Sequence, residues 1–286
     1  MARTPANEPD ASRPPPPTAV VWKGAIDLRR PLVPQIDALA DGYDGWVHDP
    51  VGPQRAAQVN PHVEGDERAR AFARRWPGSL RMFQTAWLEH MSHIPWWLIP
   101  VVWVPLTVGM GWWAVQGFGM GPTTLGLHVL AGLFAWTLTE YTLHRVAFHH
   151  RARSAWGRRL HFIMHGVHHL DPWDRTRLVF PPLAGLLIMG AIFGLFTLWL
   201  PLATVVAGFC GFLAGYIVYD MTHYYTHHGR PTSRWGKQLK AWHLAHHHKA
   251  WEAMYGVSSP LWDYVFRTVP DEVRTRQRRR RTTADA

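Results

Sequence analysis

Acidic and basic side chains are absent from two long stretches of the chain. None occurs from His90 to Thr139, fifty residues, or from Leu178 to Tyr219, forty-two. A helix that crosses the hydrocarbon core of a bilayer needs about 20 apolar residues. Each stretch therefore accommodates a hairpin of two, with hinges at Gly117-Phe-Gly-Met-Gly-Pro122 and Leu200-Pro201-Leu202. The pattern predicts four transmembrane helices, near 95–116, 122–143, 182–200 and 202–222. Neither hinge carries a charge, whereas the N-terminal region, the 145–177 connection and the C-terminal region hold all 30 Lys and Arg. By the positive-inside rule those three regions are cytoplasmic. Trp96, Trp97, Trp112 and Trp113 sit at helix ends, where aromatic rings suit the membrane interface. A soluble protein with two buried hairpins is the plainer alternative, but so many consecutive uncharged residues, twice over, are unusual for a soluble core.

Composition adds to this picture. The mean hydropathy of −0.15 averages four apolar helices with a strongly basic cap, and the net charge of +10 follows from membrane orientation. Residues 1–18 are Pro-rich and read as a disordered leader, without the basic and apolar succession of a secretory signal. Residues 19–89 form a cytoplasmic segment with a helix expected near Asp66 to Trp76. Residues 90–270 form the membrane-embedded domain, and 271–286 a basic disordered tail. The tail, Arg274-Thr-Arg-Gln-Arg-Arg-Arg-Arg281, has no interleaved aromatics and no nucleic-acid motif. Its charge suits anionic lipid, and no nucleic-acid partner is expected. The single Cys, Cys210, excludes a disulfide framework and a Cys-based zinc ribbon.

The candidate chemistry lies in the histidines. Seven fall between His144 and His169 and seven between His223 and His248, so two windows hold 14 of the 19. Both windows begin where an apolar hairpin returns to the cytoplasmic side. Residues three or four apart share a helix face, so 165/168/169, 223/227 and 243/246/247 each present a group of imidazoles. His144 and His149, five apart, lie about 140° around a regular helix; from such a helix they cannot share one metal, but each could serve a different ion. Ten imidazoles are too many for one metal. They suit a binuclear site with about five nitrogens per ion and a position open for an exogenous ligand. Glu140, Asp220, Asp171 and Asp174 are candidate partners for the remaining ring N–H groups, although Asp171 and Asp174 fit a solvated turn equally well.

The set His-x4-His, His-x3-His-Gly-x-His-His, Tyr-Asp-x-x-His-x3-His-His and His-x2-His-His resembles the fatty acid hydroxylase superfamily, within it the fatty acid 2-hydroxylase branch. The flanks Asp27-Leu-Arg-Arg-Pro-Leu, Tyr43-Asp-Gly-Trp-Val-His48, Arg177-Leu-Val-Phe-Pro-Pro182, Tyr219-Asp220-Met-Thr-His223-Tyr224 and Gly256-Val-Ser-Ser-Pro-Leu-Trp-Asp263 carry the same likeness, which runs from about Ala25 to Thr268. It implies an all-α integral membrane protein whose cytoplasmic helical cap carries a histidine-rich dimetal site. The metal ligands it implies are His144, His149, His165, His168, His169, His223, His227, His243, His246 and His247. Tyr219, His161 and His228 stand beside them as outer or substrate-side residues. His150 and His248 are read as surface neighbours, and His48, His62, His90, His93 and His128 as ordinary.

The implied reaction is O2-dependent hydroxylation of a fatty acyl or membrane lipid substrate, at C2. Two iron ions are expected for activity, although zinc suits the same ligands and can occupy the site in purified protein. Eukaryotic members often carry a fused cytochrome b5 domain with a His-Pro-Gly-Gly motif, which this sequence does not contain. A separate electron donor, cytochrome b5-like or a ferredoxin with its reductase, is expected, in a bacterial cytoplasmic membrane rather than the endoplasmic reticulum. The competing readings are another lipid substrate, such as a sterol, a carotenoid or a different acyl position, or a desaturase. A metal transporter or sensor is a further alternative, but it would want ligands lining a path inside the spans, where only His93 and His128 occur.

Overall fold

The computed structural model describes residues 26–28, 30–52 and 75–275, and every regular element among them is helical. The leader over 1–18, the expected helix near 66–76 up to residue 74, and the tail beyond residue 275 lie outside the described residues.

Four long helices occupy the two apolar stretches. They follow two short ones, α1 (Tyr43–Val47) and α2 (Ala86–Met91). The first hairpin is α3 (Leu98–Phe118) and α4 (Pro122–Thr142). After the short α5 (Ala155–His161) and α6 (Val167–Leu170), the second is α7 (Pro182–Thr197) and α8 (Leu202–His228). The chain closes with α9 (Arg234–His248) and α10 (Leu261–Val265). Proline at the first turn of α4 and α7 starts each helix where its missing N–H costs nothing.

Helices α3 and α8 are long and apolar enough to cross a membrane by length and composition. Helix α7, expected over 182–200, ends at Thr197, and its 16 residues span about 24 Å at 1.5 Å per residue, short of a hydrocarbon core of about 30 Å. Helix α8 continues past its expected end at 222 to His228 and so carries His223, His227 and His228, the first part of the second histidine window, on unbroken helix.

Helix α8 is the centre of the bundle. Its Phe209, Phe212, Leu213, Tyr216 and Tyr219 pack with Ile99 and Trp103 of α3 and Trp136 of α4. Small residues bring α8 and α4 into backbone contact: a Cβ added to Gly211 would lie 1.9 Å from the Val129 carbonyl oxygen, and one added to Gly132 1.8 Å from that of Gly208. Such stripes give close packing between membrane helices, where apolar burial supplies no drive between them. The outward faces are apolar and exposed, with Val108 and Trp112 on α3, Leu127 and Leu130 on α4, and Leu183 and Leu187 on α7. An apolar surface this extensive is costly in water and at rest in lipid.

The N-terminal segment folds back on the connection between the hairpins. Leu32, Ile36, Leu39, Tyr43, Trp46 and Val47 bury Phe162, Val167 and Leu170. Gly166 permits this approach, because a Cβ there would meet Val47 at 2.8 Å and the Tyr43 hydroxyl at 2.9 Å. The glycine of the His-x3-His-Gly-x-His-His run thus lets the cap close over the histidines beside it.

Candidate metal centre

The ten histidines singled out by spacing converge into two clusters. His144, His149, His165, His169 and His246 form one, and His168, His223, His227, His243 and His247 the other; within each, the five candidate ligand nitrogens all lie within 4.8 Å of one another. In the first, Nε2 contacts run from His246 to His149 (3.0 Å), His144 (3.2 Å), His165 (3.2 Å) and His169 (3.1 Å). In the second they run from His223 to His168 (3.0 Å), His247 (3.1 Å), His243 (3.1 Å) and His227 (2.8 Å). The clusters adjoin, with the rings of His169 and His247 stacked at 4.1 Å.

The expectation that His144 and His149 serve different ions is overturned. It assumed a regular helix, but the backbone over Leu143–Phe148 is a π-helical turn, closed by the His149 N–H donating to the His144 carbonyl at 3.0 Å. An i to i+5 ladder sets residues five apart nearly in line, and both rings join the first cluster. A second π-helical turn, Phe162–Gly166, carries His165. The face-sharing triplets also divide. The pairs 165/169, 223/227 and 243/247 each stay within one cluster, whereas His168 and His246 cross to the other.

Local chemistry fixes the elements that bring these rings in. The Ser154 and Ser233 side chains accept the N–H groups of Gly157 and Gly236 at 3.1 Å and cap α5 and α9. Lys240 on α9 donates to the His227 and Gly229 carbonyls at 3.3 and 2.9 Å, closing the end of α8 and tying the two histidine helices together.

The clusters are chemically suited to metal. A carbonyl only accepts, so the contacts of His144 Nδ1 with the Tyr255 carbonyl and of His246 Nδ1 with the Ala253 carbonyl, at 2.7 Å, place the proton on Nδ1 and turn the Nε2 lone pair inward. Burial holds His144 near 4, below its ordinary 6.5. Burial first, and neighbouring imidazoles after it, hold His149, His165, His168, His169, His243 and His247 well below that value. Neutral imidazoles are the ligand form. Five inward nitrogens cannot satisfy one another by hydrogen bonds alone, whereas nitrogens about 2.1 Å from a shared ion and at right angles to each other lie about 3.0 Å apart, the spacing seen here.

The expected outer carboxylates have other partners. Glu140 accepts the N–H groups of Val257 (2.9 Å) and Ser258 (2.8 Å) and the Ser258 hydroxyl, rather than a ring N–H of His144. Asp220 accepts from the Tyr216 hydroxyl at 2.8 Å and the Phe180 N–H, rather than from His223. Asp171 is buried and Asp174 half-buried with its side chain covered, neither in a solvated turn; Asp174 accepts from Ser79 and Thr176 and pairs with Arg177. His161 lies outside both clusters, with Nδ1 2.6 Å from the Tyr43 hydroxyl. His228 lies outside them too, its ring against Tyr224, while Tyr219 stacks on His223 at 5.8 Å.

Three features were not read from the sequence. His48 is not ordinary: its ring lies 4.9 Å from that of His169 and 5.6 Å from that of His149. His93, also set aside, is buried in an ionic network with Glu89 and Arg177. The segment Ala253–Ser258 works through its backbone, its carbonyls aiming His144 and His246 while its amides are held by Glu140 and by Asp263, which accepts from Tyr255 and Gly256 at 2.8 Å. Both His48 and Asp263 close motifs singled out in the sequence, and their place there was the available signal.

A cavity of about 320 Å³ opens between exposed Met91, Leu183 and Leu187 and ends at His165, His168 and His223, with Tyr219 and Asp220 at its inner end. Its walls, Met82, Phe83, Phe148, Leu178, Val179 and Phe180, are apolar. The site is thus a slot entered from the lipid-facing side and closed by imidazoles.

Comparison with known proteins agrees with this geometry. The model of the fatty acid hydroxylase family matches residues 129–268. A dihydroceramide fatty acyl 2-hydroxylase of Arabidopsis thaliana is 36% identical over 248 residues, 86% of this chain and 93% of the relative. The fatty acid 2-hydroxylase of Homo sapiens is 35% identical over 275 residues, 88% of this chain and 67% of the relative. Among solved structures, full-length scs7p, in which only the hydroxylase domain is visible, is similar with a TM-score of 0.71 at 33% identity, covering 86% of this chain and 85% of that one. An apolar slot ending on two five-imidazole clusters, together with these relatives, makes this chain a member of the fatty acid hydroxylase family.

Proposed function

We propose that the protein is a membrane-bound oxygenase that hydroxylates an acyl chain at C2, using two iron ions held by the two imidazole clusters. The observation that carries this reading is the junction of an apolar, lipid-facing cavity with His165, His168 and His223. The names of the relatives, acyl and fatty acid 2-hydroxylases, supply the position. In this reading His144, His149, His165, His169 and His246 hold one ion and His168, His223, His227, His243 and His247 the other. The ions supply activation of O2, which no side chain here provides.

The chain's own residues bind, orient and exclude water. Met91, Leu183 and Leu187 admit the acyl tail sideways from the bilayer, and Phe148 and Phe180, stacked at 5.7 Å, wall the inner slot. C2 is one carbon from the carbonyl, so the polar end must stop close to the histidines while the tail extends back towards lipid. Desolvation of the slot keeps bulk water from the reacting carbon. Helices α3, α4, α7 and α8 are the proposed spans, with the clusters on the cytoplasmic side by the charge asymmetry of the loops. A transport path would need ligands along the bundle, whereas all ten imidazoles follow α4, lie in the cap or stand near the end of α8.

The test is mass spectrometry of the lipids of a host expressing the wild type or His168→Ala. The wild type produces 2-hydroxy acyl species that the variant lacks. Hydroxylation elsewhere on the chain, or equal product from both, overturns the proposal.

A further inference from the structure

Resting on that reading, hydroxylation draws on two external electrons: the C–H bond and O2 become C–OH and water with two electrons and two protons. The metal clusters are buried, so those electrons must cross protein. One chain of rings leads from the surface to the first cluster. Trp251, half-buried, stacks on His48 at 3.9 Å with planes 12° apart. His48 stands 4.9 Å from His169 and 5.6 Å from His149, and Trp251 itself is 6.2 Å from His149 with planes 27° apart. The donation from His48 Nδ1 to the Asp44 carbonyl, at 2.8 Å, holds the intermediate ring in place. A second route, from Trp173 through His248 to His247, has steps of 5.9 and 6.2 Å, and tunnelling weakens steeply with each gap.

The surface around Trp251 is basic. The Arg151 guanidinium lies 5.7 Å over its ring. Arg145 and Arg151 both act electrostatically on Tyr255, and Arg151 and His150 on Asp44, so these groups gather on one side of the cap. Arg145, His150, Arg151 and Lys249 are exposed, and the exposed Glu252 is paired with Arg151.

We propose that electrons enter through Trp251 and His48, delivered singly by an acidic one-electron carrier protein docked on the basic face formed by Arg145, His150 and Arg151. Each transfer oxidises the carrier by one electron and reduces the metal pair by one. Two transfers serve one turnover, and the protons come from water. Charge complementarity sets the docking rate and its salt dependence.

The experiment mixes reduced plant-type ferredoxin, as an acidic probe, with iron-loaded protein without oxygen and follows ferredoxin absorbance. Trp251→Leu slows electron transfer by at least an order of magnitude with iron content and reduction by dithionite unchanged, Trp251→Phe restores most of the rate, and Trp173→Leu leaves it at the wild-type value. Arg151→Glu weakens ferredoxin binding to the metal-free chain in calorimetry and flattens the salt dependence. Wild-type transfer rates in iron-replete Trp251→Leu, or slowing in Trp173→Leu instead, overturn the route; unaltered binding in Arg151→Glu overturns the docking face. A wild type that is reduced normally but makes no 2-hydroxy product contradicts the proposed function and leaves the route standing.

Discussion

Replacing Glu140 by Ala separates the two clusters. The carboxylate is buried and accepts three hydrogen bonds from Val257 and Ser258, the segment whose Tyr255 carbonyl aims His144. A hydrogen bond contributes about 0.5–1.5 kcal/mol net, and a buried N–H left unpaired costs about 1–3 kcal/mol. These are not additive, and alanine leaves two buried amides without an acceptor, so the loss of stability is on the order of 2–4 kcal/mol. Releasing that segment also loosens the carbonyls that aim His144 and His246, so the loss of metal affinity falls on their cluster. Elemental analysis after dialysis against a chelator should find the ion of the second cluster retained and that of the first depleted, with an unfolding midpoint below that of the wild type. Glu140→Gln, which keeps an acceptor for both amides, should fall between. Wild-type stability with both ions equally retained would refute the role assigned to the 253–258 segment.

Other predictions follow from the same geometry. Gly211→Val, with its first added atom 1.9 Å from the Val129 carbonyl oxygen, should force α4 and α8 apart and lower the melting temperature sharply in detergent; Gly208→Ala, with nothing nearer than 3.8 Å, should be tolerated. Leu187→Trp at the cavity mouth should reduce kcat/KM for long acyl substrates with metal content unchanged, measured by product formation and elemental analysis. Burial holds His48, His144 and His161 near 4 when folded against 6.5 ordinarily. Between these values the unfolded chain takes up protons that the native state refuses, so metal-free protein should lose stability as pH falls from about 6.5 towards 4, in the same direction as the histidines held well below their ordinary value. Denaturant melts across that window check the sign.

The histidines were legible because membrane hairpins and three- or four-residue spacings are one-dimensional signals. Their partition was not. His144 and His149 share a cluster because the backbone adopts π-helical turns, and no residue count distinguishes such a turn from a regular helix. The i,i+3 neighbours His168 and His246 change cluster because α6 and α9 cross the seam between the sites, a matter of tertiary packing. Glu140 and Asp220 stood out as acids at the ends of apolar helices, and both are buried and hydrogen-bonded. Sequence proximity to His144 and His223 suggested the wrong partners, since Glu140 bonds a segment more than a hundred residues away. His48 was set aside because, although it closes a flank motif, it lies far along the chain from both histidine windows, and only the fold of the N-terminal segment onto the cap brings it to His169.

The central claim, that the imidazole clusters direct oxygen from O2 to C2 of an acyl chain in the lipid-facing slot, is tested most directly by isotope labelling. Iron-loaded protein in detergent, supplied with reductant, an acyl lipid and heavy-oxygen O2, should form a 2-hydroxy acyl product that carries the heavy atom. The same reaction with heavy-oxygen water and ordinary O2 should give unlabelled product. A hydroxyl derived from water, or one placed elsewhere on the chain, would contradict the account.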